Sequence, residues 1–394
     1  MMRFINLFVQ KYPEFSQKIA YKLLYKDQFN VNLDLCNPCQ KRVLISYITL
    51  TGFDFARVHH ASYFHLNQIL HYFVSKGYCV DLCRLDDMGA YERLKHNNYD
   101  IAFGFGPVYK EFCKKHNIPI RICFVMENNP VVVMQKYGER LKYFNQRHPQ
   151  IDPGMSLARM GYFDEETFAL SNNLLLMSSV YNSISFKKYF QKINLINSNA
   201  IFNSEYQFIP DKIAKTIDRS RKNVLWFGSK GIIHKGLDIL IDAVAKIPDM
   251  KLHCYGVDKG EQNFFKHLKV KNTIDCGSVN VLSDDFIDRV VYNQNICVFP
   301  SCSEGMSTAV ATCMAHGIIP IITRETGFND TPNIILLEDF SVECVIEAIQ
   351  RIQSLSSEQI LEMRKNCYYY ARQEFCIDNF NRQFYEIMDS IITK

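Results

Sequence analysis

From Lys41 onward the chain alternates short, almost wholly apolar runs with longer segments of helical periodicity, and it does so twice. A strand with no polar face must be covered on both sides, which calls for a parallel sheet between two layers of helices. In the first set, strands are expected at 41–48, 78–85, 99–106 and 118–127. The helices between them fall at 55–77, closed by Gly77, at 91–98, and at 107–117 with Pro107 in its first turn. Residues 128–173 show no clear period. A strand at 174–180 and a helix at 183–193 resume the rhythm, and the polar, turn-rich stretch 196–213 reads as a linker. The second set places strands at 223–229, 250–257, 296–301 and 318–324, with helices at 236–248, 284–294 and 307–316. Beyond Glu338 the chain is helical and ends in one long amphipathic segment from Tyr368. The reading is therefore α/β, with two doubly wound domains.

Length agrees, since 394 residues exceed one ordinary core and suit two. With 47% apolar and 22% charged residues the chain is globular. A net charge of +4 does not call for nucleic acid; it suits an anionic small molecule or an acidic membrane surface. Fourteen cysteines follow an N-terminus without signal-peptide features, so they read as reduced and the protein as cytoplasmic. Cys36 and Cys39 form a C-x-x-C, but the nearest second pair, Cys79 and Cys83, has looser spacing inside an apparent strand. Neither a metal nor a cofactor is expected. Residues 1–40 look like an extension in which aromatics mix with Lys11, Lys18, Lys22 and Lys26. It is either a basic helix lying on the inner face of a membrane or a helix packed on the body with its lysines in water. The expected units are thus 1–40, a first domain 41–205, a second domain 206–370, and a terminal helix 371–394.

Ligands of doubly wound sheets bind beyond the carboxyl ends of the strands, in this case in a cleft between two domains. After the strand 223–229 comes Ser229–Gly236, with two glycines and two lysines before a helix. Its amides and a lysine ammonium would suit a diphosphate, although lysines at helix starts are often plain solvated charges. After the strand 296–301 comes Glu304-Gly305 and then a helix near Ser307. The amides of Met306, Ser307 and Thr308 form a second anion site, while Glu304 either caps the helix or grips sugar hydroxyls. Glu127 and Asn128 stand at another strand end, as site residues or as a turn. His59, His60 and His65 follow the first strand, at the cleft or as ordinary helix residues.

Several ordered motifs now carry a resemblance: Phe227-Gly228, Lys235-Gly236-Leu237-Asp238, Gly277-Ser278-Val279, Pro300-Ser301-Cys302-Ser303-Glu304-Gly305, and Ala315-His316-Gly317 before IIPIIT. Residues 222–330 resemble the group 1, or family 4, glycosyltransferases of GT-B fold; the N-terminal half shares only the rhythm. The resemblance implies two Rossmann-like domains facing a cleft, 41–205 on the acceptor side and 206–370 on the donor side, with the helix 371–394 returning to the first domain and His59, His60, Glu127 and Asn128 as acceptor-side candidates. It also implies a retaining hexosyltransferase. It implies a nucleotide-sugar donor, with UDP or GDP, and a glycan or lipid-linked acceptor, by family habit in bacterial surface polysaccharide synthesis. Lys235 would hold the donor diphosphate and Glu304 the transferred sugar. Gly228, Ser229, Lys230, Gly305, Met306, Ser307 and Thr308 would complete the donor site, and Val279 would lie beside the base. Three departures stand out. Thr312 replaces the second Glu of the pattern, which usually holds ribose. Ser229 replaces an Arg, with Lys230 one step later in a loop one residue longer. The histidine often found after an N-terminal strand is missing from YDIAFGFGP. No Asp-x-Asp occurs, which points to a metal-independent reaction. Two alternatives stay open: a non-catalytic GT-B-like binding subunit, favoured by Thr312, and a nucleotide-sugar epimerase. Oligomeric state is not legible.

Overall fold

The computed structural model describes residues 29–31, 41–48, 61–156 and 161–393. The first sheet comprises β1 (Phe29–Val31), β2 (Lys41–Tyr47), β3 (Tyr78–Arg84), β4 (Ile101–Gly104), β5 (Ile120–Val125), β6 (Asn173–Leu176) and β7 (Ile193–Leu195), in the order β1-β3-β2-β4-β5-β6-β7. All neighbours are parallel except β1, which runs antiparallel to β3. Its helices are α1 (Ala61–Ser75), α2 (Met88–Leu94), α3 (Gly106–Lys115), α4 (Pro130–Arg147), α5 (Glu165–Leu170) and α6 (Val180–Ser183). The second sheet comprises β8 (Asn223–Phe227), β9 (Lys251–Tyr255), β10 (Thr273–Asp275), β11 (Ile296–Phe299), β12 (Ile319–Ile322) and β13 (Ile335–Leu336). It is wholly parallel, in the order β10-β9-β8-β11-β12-β13. Around it lie α7 (Pro210–Ser220), α8 (Leu237–Lys246), α9 (Gln262–Leu268), α10 (Asp284–Arg289), α11 (Thr308–Ala315), α12 (Val342–Gln353), α13 (Ser357–Glu374) and α14 (Ile377–Ile392).

Apart from the edge strand β1, each sheet starts in its interior and winds outward both ways. The order therefore reverses between β2 and β4, and again between β8 and β11. Adjacent loops at such a reversal leave in opposite directions and open a crevice. Every residue of β4, β11 and β12 is buried, as their apolar runs require.

One stretch without a clear period is filled and two expected elements differ. The stretch 128–173 holds the 18-residue α4, started by Asn129, whose side chain accepts from Val131 N. The helix expected at 183–193 is a brief turn leading to β7. Phe186 and Phe190 share its one helical turn, and both rings pack on Phe168, at 5.4 and 6.3 Å between centroids, so burial of two rings outweighs propagation. The long terminal helix breaks at Phe375–Cys376, where Phe375 turns into the core and its carbonyl accepts from Ala200 N at 2.6 Å. Beyond the break, α14 lies on α1. Tyr72 donates to Asp389 at 2.7 Å, Lys76 pairs with Asp389 at 2.7 Å, and His65 stacks on Phe380 at 4.5 Å. Cys79 is disulfide-bonded, so the all-reduced reading does not hold there; the other described cysteines are free. The extension 1–40 lies, apart from the backbone of β1, outside the described residues. Among the described residues no helix is long and apolar enough to cross a membrane.

His316 closes α11. Its Nδ1–H donates to Thr312 O at 2.7 Å, and its buried ring lies against Phe286 and Tyr206. Burial pushes its pKa down to about 4. The fold thus favours the neutral ring. This contribution is complete above the unfolded value of ~6.5 and is lost as pH falls from there toward 4, up to about 3 kcal/mol. We expect urea unfolding of His316→Gln to show a flatter loss of stability across that window than the wild type. Parallel acid limbs would contradict this account.

Candidate active site

The two loops beside the reversal point of the second sheet build the site. The loop after β8 runs from Gly228 to Gly236. Gly236 adopts φ 71°, and a Cβ there would overlap the Pro300 carbonyl, so only glycine lets this loop pass the end of β11. Lys235, held just before it, extends its ammonium to Glu304 Oε1 at 2.8 Å and lies 5.1 Å above the centre of the Phe299 ring. The two side chains are only 5% and 10% exposed. The loop after β11 is sewn to the first. Cys302 N donates to His234 O at 2.8 Å, Ser301 Oγ to the same carbonyl at 3.2 Å, and His234 Nε2 to Ser303 O at 2.5 Å.

The first domain holds this assembly from the other side. Arg140, fully buried on α4, donates to Pro300 O at 2.6 Å and lies 4.5 Å from the centre of the Phe340 ring. Ser178 Oγ donates to Gly305 O at 2.7 Å, and Asn182 Nδ2 to Glu304 O at 3.1 Å. Gly305 passes so close to the end of β5 that a Cβ would overlap the Met126 carbonyl. Arg147 at the end of α4 pairs with Asp238 and Asp242 of α8, and His148 reaches Asp242 at 2.9 Å.

Between the domains lies a cavity of about 350 Å³. Ala61 and Ser62 of α1 and the first turn of α11 (Thr308, Ala309) open onto it. The N-terminus of α11 and one lysine make it receptive to an anion. Of the residues expected at a site, Gly228, Ser229, Lys235, Glu304, Met306, Ser307, Thr308, Glu127 and His65 line this cavity. Asn128 is buried behind it, where its Oδ1 accepts from Asn129 N at 2.8 Å, and it shares a smaller adjoining pocket with Glu127 and Glu304. Gly305 stands behind the wall as the contact just described. Lys230 is exposed and Val279 half-buried, and neither reaches the cavity lining. His59 and His60 lie outside the described residues.

Two placements depart from the sequence reading. The hydroxyl of Thr312 accepts from Ile201 N at 3.0 Å, so it holds the linker onto α11; the side chain is 2% exposed and does not line the cavity. The amides of Gly231 and Ile232, expected to cradle a diphosphate, donate instead to the carboxylate of Glu261 at 2.6 and 3.0 Å. Sequence reasoning misses Glu261, Arg140, Ser178 and Asn182, because each acts on backbone atoms 29 or more residues away that carry no signature. Among the described residues no group of three His, Cys, Asp or Glu is arranged to hold a metal ion.

Residues 221–354 match the family model described as glycosyl transferases group 1. Comparison with curated protein sequences finds no match. Solved structures of similar fold include sucrose-phosphate synthase from Thermosynechococcus elongatus, at 13% identity over 89% of this chain and 100% of that one, TM-score 0.60. Anabaena HepE in complex with UDP-glucose is similar at 12% identity over 88% and 99%, TM-score 0.57. WaaG, a glycosyltransferase involved in lipopolysaccharide biosynthesis, is similar at 15% over 88% and 99%, TM-score 0.56. The part of the chain that holds the second sheet is thus similar to group 1 glycosyl transferases, and the chain has the two-domain α/β fold of the GT-B glycosyltransferases.

If Thr312 serves the linker, Thr312→Val leaves the Ile201 amide without its acceptor. We expect a loss of about 1–3 kcal/mol in urea unfolding, with affinity for nucleoside diphosphates unchanged in calorimetric titration. Lost affinity at unchanged stability would return Thr312 to the nucleotide.

Proposed function

We propose that the protein is a glycosyltransferase that moves a hexosyl unit from a UDP- or GDP-sugar to a glycan or lipid-linked acceptor, with retention and without a metal. The observation that carries this reading is the Lys235–Glu304 ion pair, set at the cavity wall beside the first turn of α11. The match of residues 221–354 to group 1 glycosyl transferases supports it, as do the bound UDP-glucose of HepE and the role printed for WaaG. A place in polysaccharide synthesis at the inner face of a membrane belongs to the same proposal.

Before donor binding, the carboxylate of Glu304 keeps the ammonium of Lys235 satisfied in a mostly dry site. When the donor enters, Lys235 exchanges the carboxylate for the diphosphate, and the amides of the first turn of α11 take further phosphate oxygens. Glu304, released, accepts hydrogen bonds from sugar hydroxyls. The bond from the anomeric carbon to the phosphate oxygen breaks as the acceptor oxygen bonds to that carbon. The acceptor proton passes to a phosphate oxygen of the leaving diphosphate, which places donor and acceptor on one face and keeps the configuration. Glu127, across the cavity, orients the acceptor hydroxyl. Stabilisation of the leaving charge by preorganised donors is the main contribution asked of the protein.

The reading as a non-catalytic binding subunit draws on Thr312, whose hydroxyl serves the linker rather than the cavity. A panel of UDP, GDP, ADP and CMP, with and without their sugars, separates the two when followed by turnover. Tight binding without transfer or sugar release would favour the subunit. Release of nucleotide in the absence of any acceptor would favour an epimerase.

Lys235→Ala is expected to cost roughly 2–4 kcal/mol of transition-state stabilisation and to weaken nucleoside diphosphate binding. Glu304→Gln is expected to lower turnover sharply at nearly unchanged diphosphate affinity. Steady-state kinetics with calorimetry checks both, and unchanged turnover in both variants would remove the catalytic reading. Turnover is expected to persist in excess EDTA; loss restored by Mg²⁺ or Mn²⁺ would refute the metal-free mechanism.

A further inference from the structure

The loop after β8 has the geometry of an anion site, yet its anion is part of the chain. With Gly231 at φ 103°, successive amides point to one side, as in the concave nests that bind phosphate. Gly231 N and Ile232 N donate to Glu261 at 2.6 and 3.0 Å. Ile233 N donates to Ser156 Oγ at 3.3 Å, and Ser156 in turn donates to Glu261 at 2.9 Å. Glu261 stands on a single 3-10 turn after β9 and is completely buried. A carboxylate out of water is costly unless hydrogen-bonded donors surround it, and here charge-assisted bonds from two consecutive amides and a hydroxyl do so. The same three loop residues fix the approach to the reactive lysine. Their carbonyls accept from Lys235 N at 2.8 Å (Gly231), from Leu237 N at 3.0 Å (Ile232) and from Gly236 N at 3.2 Å (Ile233).

We propose that Glu261 is a resident anion and a positioning residue: its carboxylate occupies the amide nest of the 231–233 loop, shapes that loop, and thereby sets Lys235 toward the cavity. The donor diphosphate is then held by Lys235 and the first turn of α11, not by the glycine loop. This second part rests on the glycosyltransferase reading; the first does not. It also assigns Ser156 a purpose, as the hydroxyl that joins the nest to the segment following α4.

The test empties the nest and refills it from solution. Glu261→Ala is expected to unfold at a lower temperature than the wild type. It should regain much of the difference in sodium formate but not in sodium chloride of equal ionic strength, while the wild type responds alike to both salts. UDP or GDP affinity, measured by calorimetry, should fall about tenfold in the variant, the size expected for losing charged hydrogen bonds around a positioned group, and recover in formate alone. No formate-specific recovery of melting temperature would overturn the resident-anion proposal. Recovery of melting temperature with nucleotide affinity unaffected throughout would overturn the positioning of Lys235. A wild type that binds neither UDP nor GDP would remove the donor assignment, with the formate comparison still deciding the nest. Should Glu261→Ala fail to fold, hydrogen exchange in Glu261→Gln decides: faster exchange confined to the 228–237 segment is expected, and exchange unchanged from wild type would overturn the proposal.

Discussion

The two halves of this molecule are registered by main chain passing main chain. Gly305, in the loop after β11, lies against the Met126 carbonyl at the end of β5, and Gly327 lies in turn against the carbonyl of Gly305. Three strand-end loops from two sheets are therefore stacked with no side chain between them. Ser178 and Asn182 fasten the stack by donating to the carbonyls of Gly305 and Glu304. A separation set by backbone is far less adjustable than one set by rotamers. The position of Glu304 relative to the first domain follows from it, and so does the distance across which Glu127 and Glu304 face one cavity.

Around that contact the interface is unusually rich in charge. Arg140 is fully buried, with two guanidinium nitrogens lacking hydrogen-bond partners, and burial lowers its pKa. Asp238 is also buried, and desolvation raises its pKa despite Arg147 beside it. Buried ions contribute little net stability when paired and cost a good deal when one partner is removed. Such an arrangement specifies one geometry of α4 against α8 more than it strengthens the fold. The fully buried side chains of α4 are Arg140 and Phe144, while Tyr137, Leu141 and Tyr143 pack half-buried against the core.

Much of the architecture was legible because the central strands β2, β4, β5, β8, β11 and β12 are apolar on both faces. The motifs at the ends of β8 and β11 drew attention to Lys235 and Glu304 through the resemblance they carry, and the fold pairs the two side chains. What escaped has physical reasons. α4 hides from a periodicity argument since a buried arginine and exposed Val131 and Met134 blur its apolar stripe. The turn at 184–190 imitates a helix because Phe186 and Phe190 are four apart. Thr312 was recognised as a departure, but its partner Ile201 is 111 residues away, and a hydroxyl gives no hint of whether it faces ligand or backbone. The nest of Gly231 and Ile232 reads as an empty anion site in any sequence, and only the fold brings Glu261 into it.

The packing of α14 on α1 bears on how the protein is made. Tyr72 and Asp389 are 317 residues apart, and the helix that Tyr72 belongs to also supplies Ala61, Ser62 and His65 to the cavity. At ribosomal speeds of about 5–20 residues per second, α1 waits some 16–60 s for the helix that covers it. Throughout that interval a nascent first domain lacks Phe384, which α14 later packs against the rings of Tyr72 and Phe103. The cleft is thus assembled late in translation, and a ribosome-bound chain carries a sticky, unfinished half-site that chaperones are suited to shield.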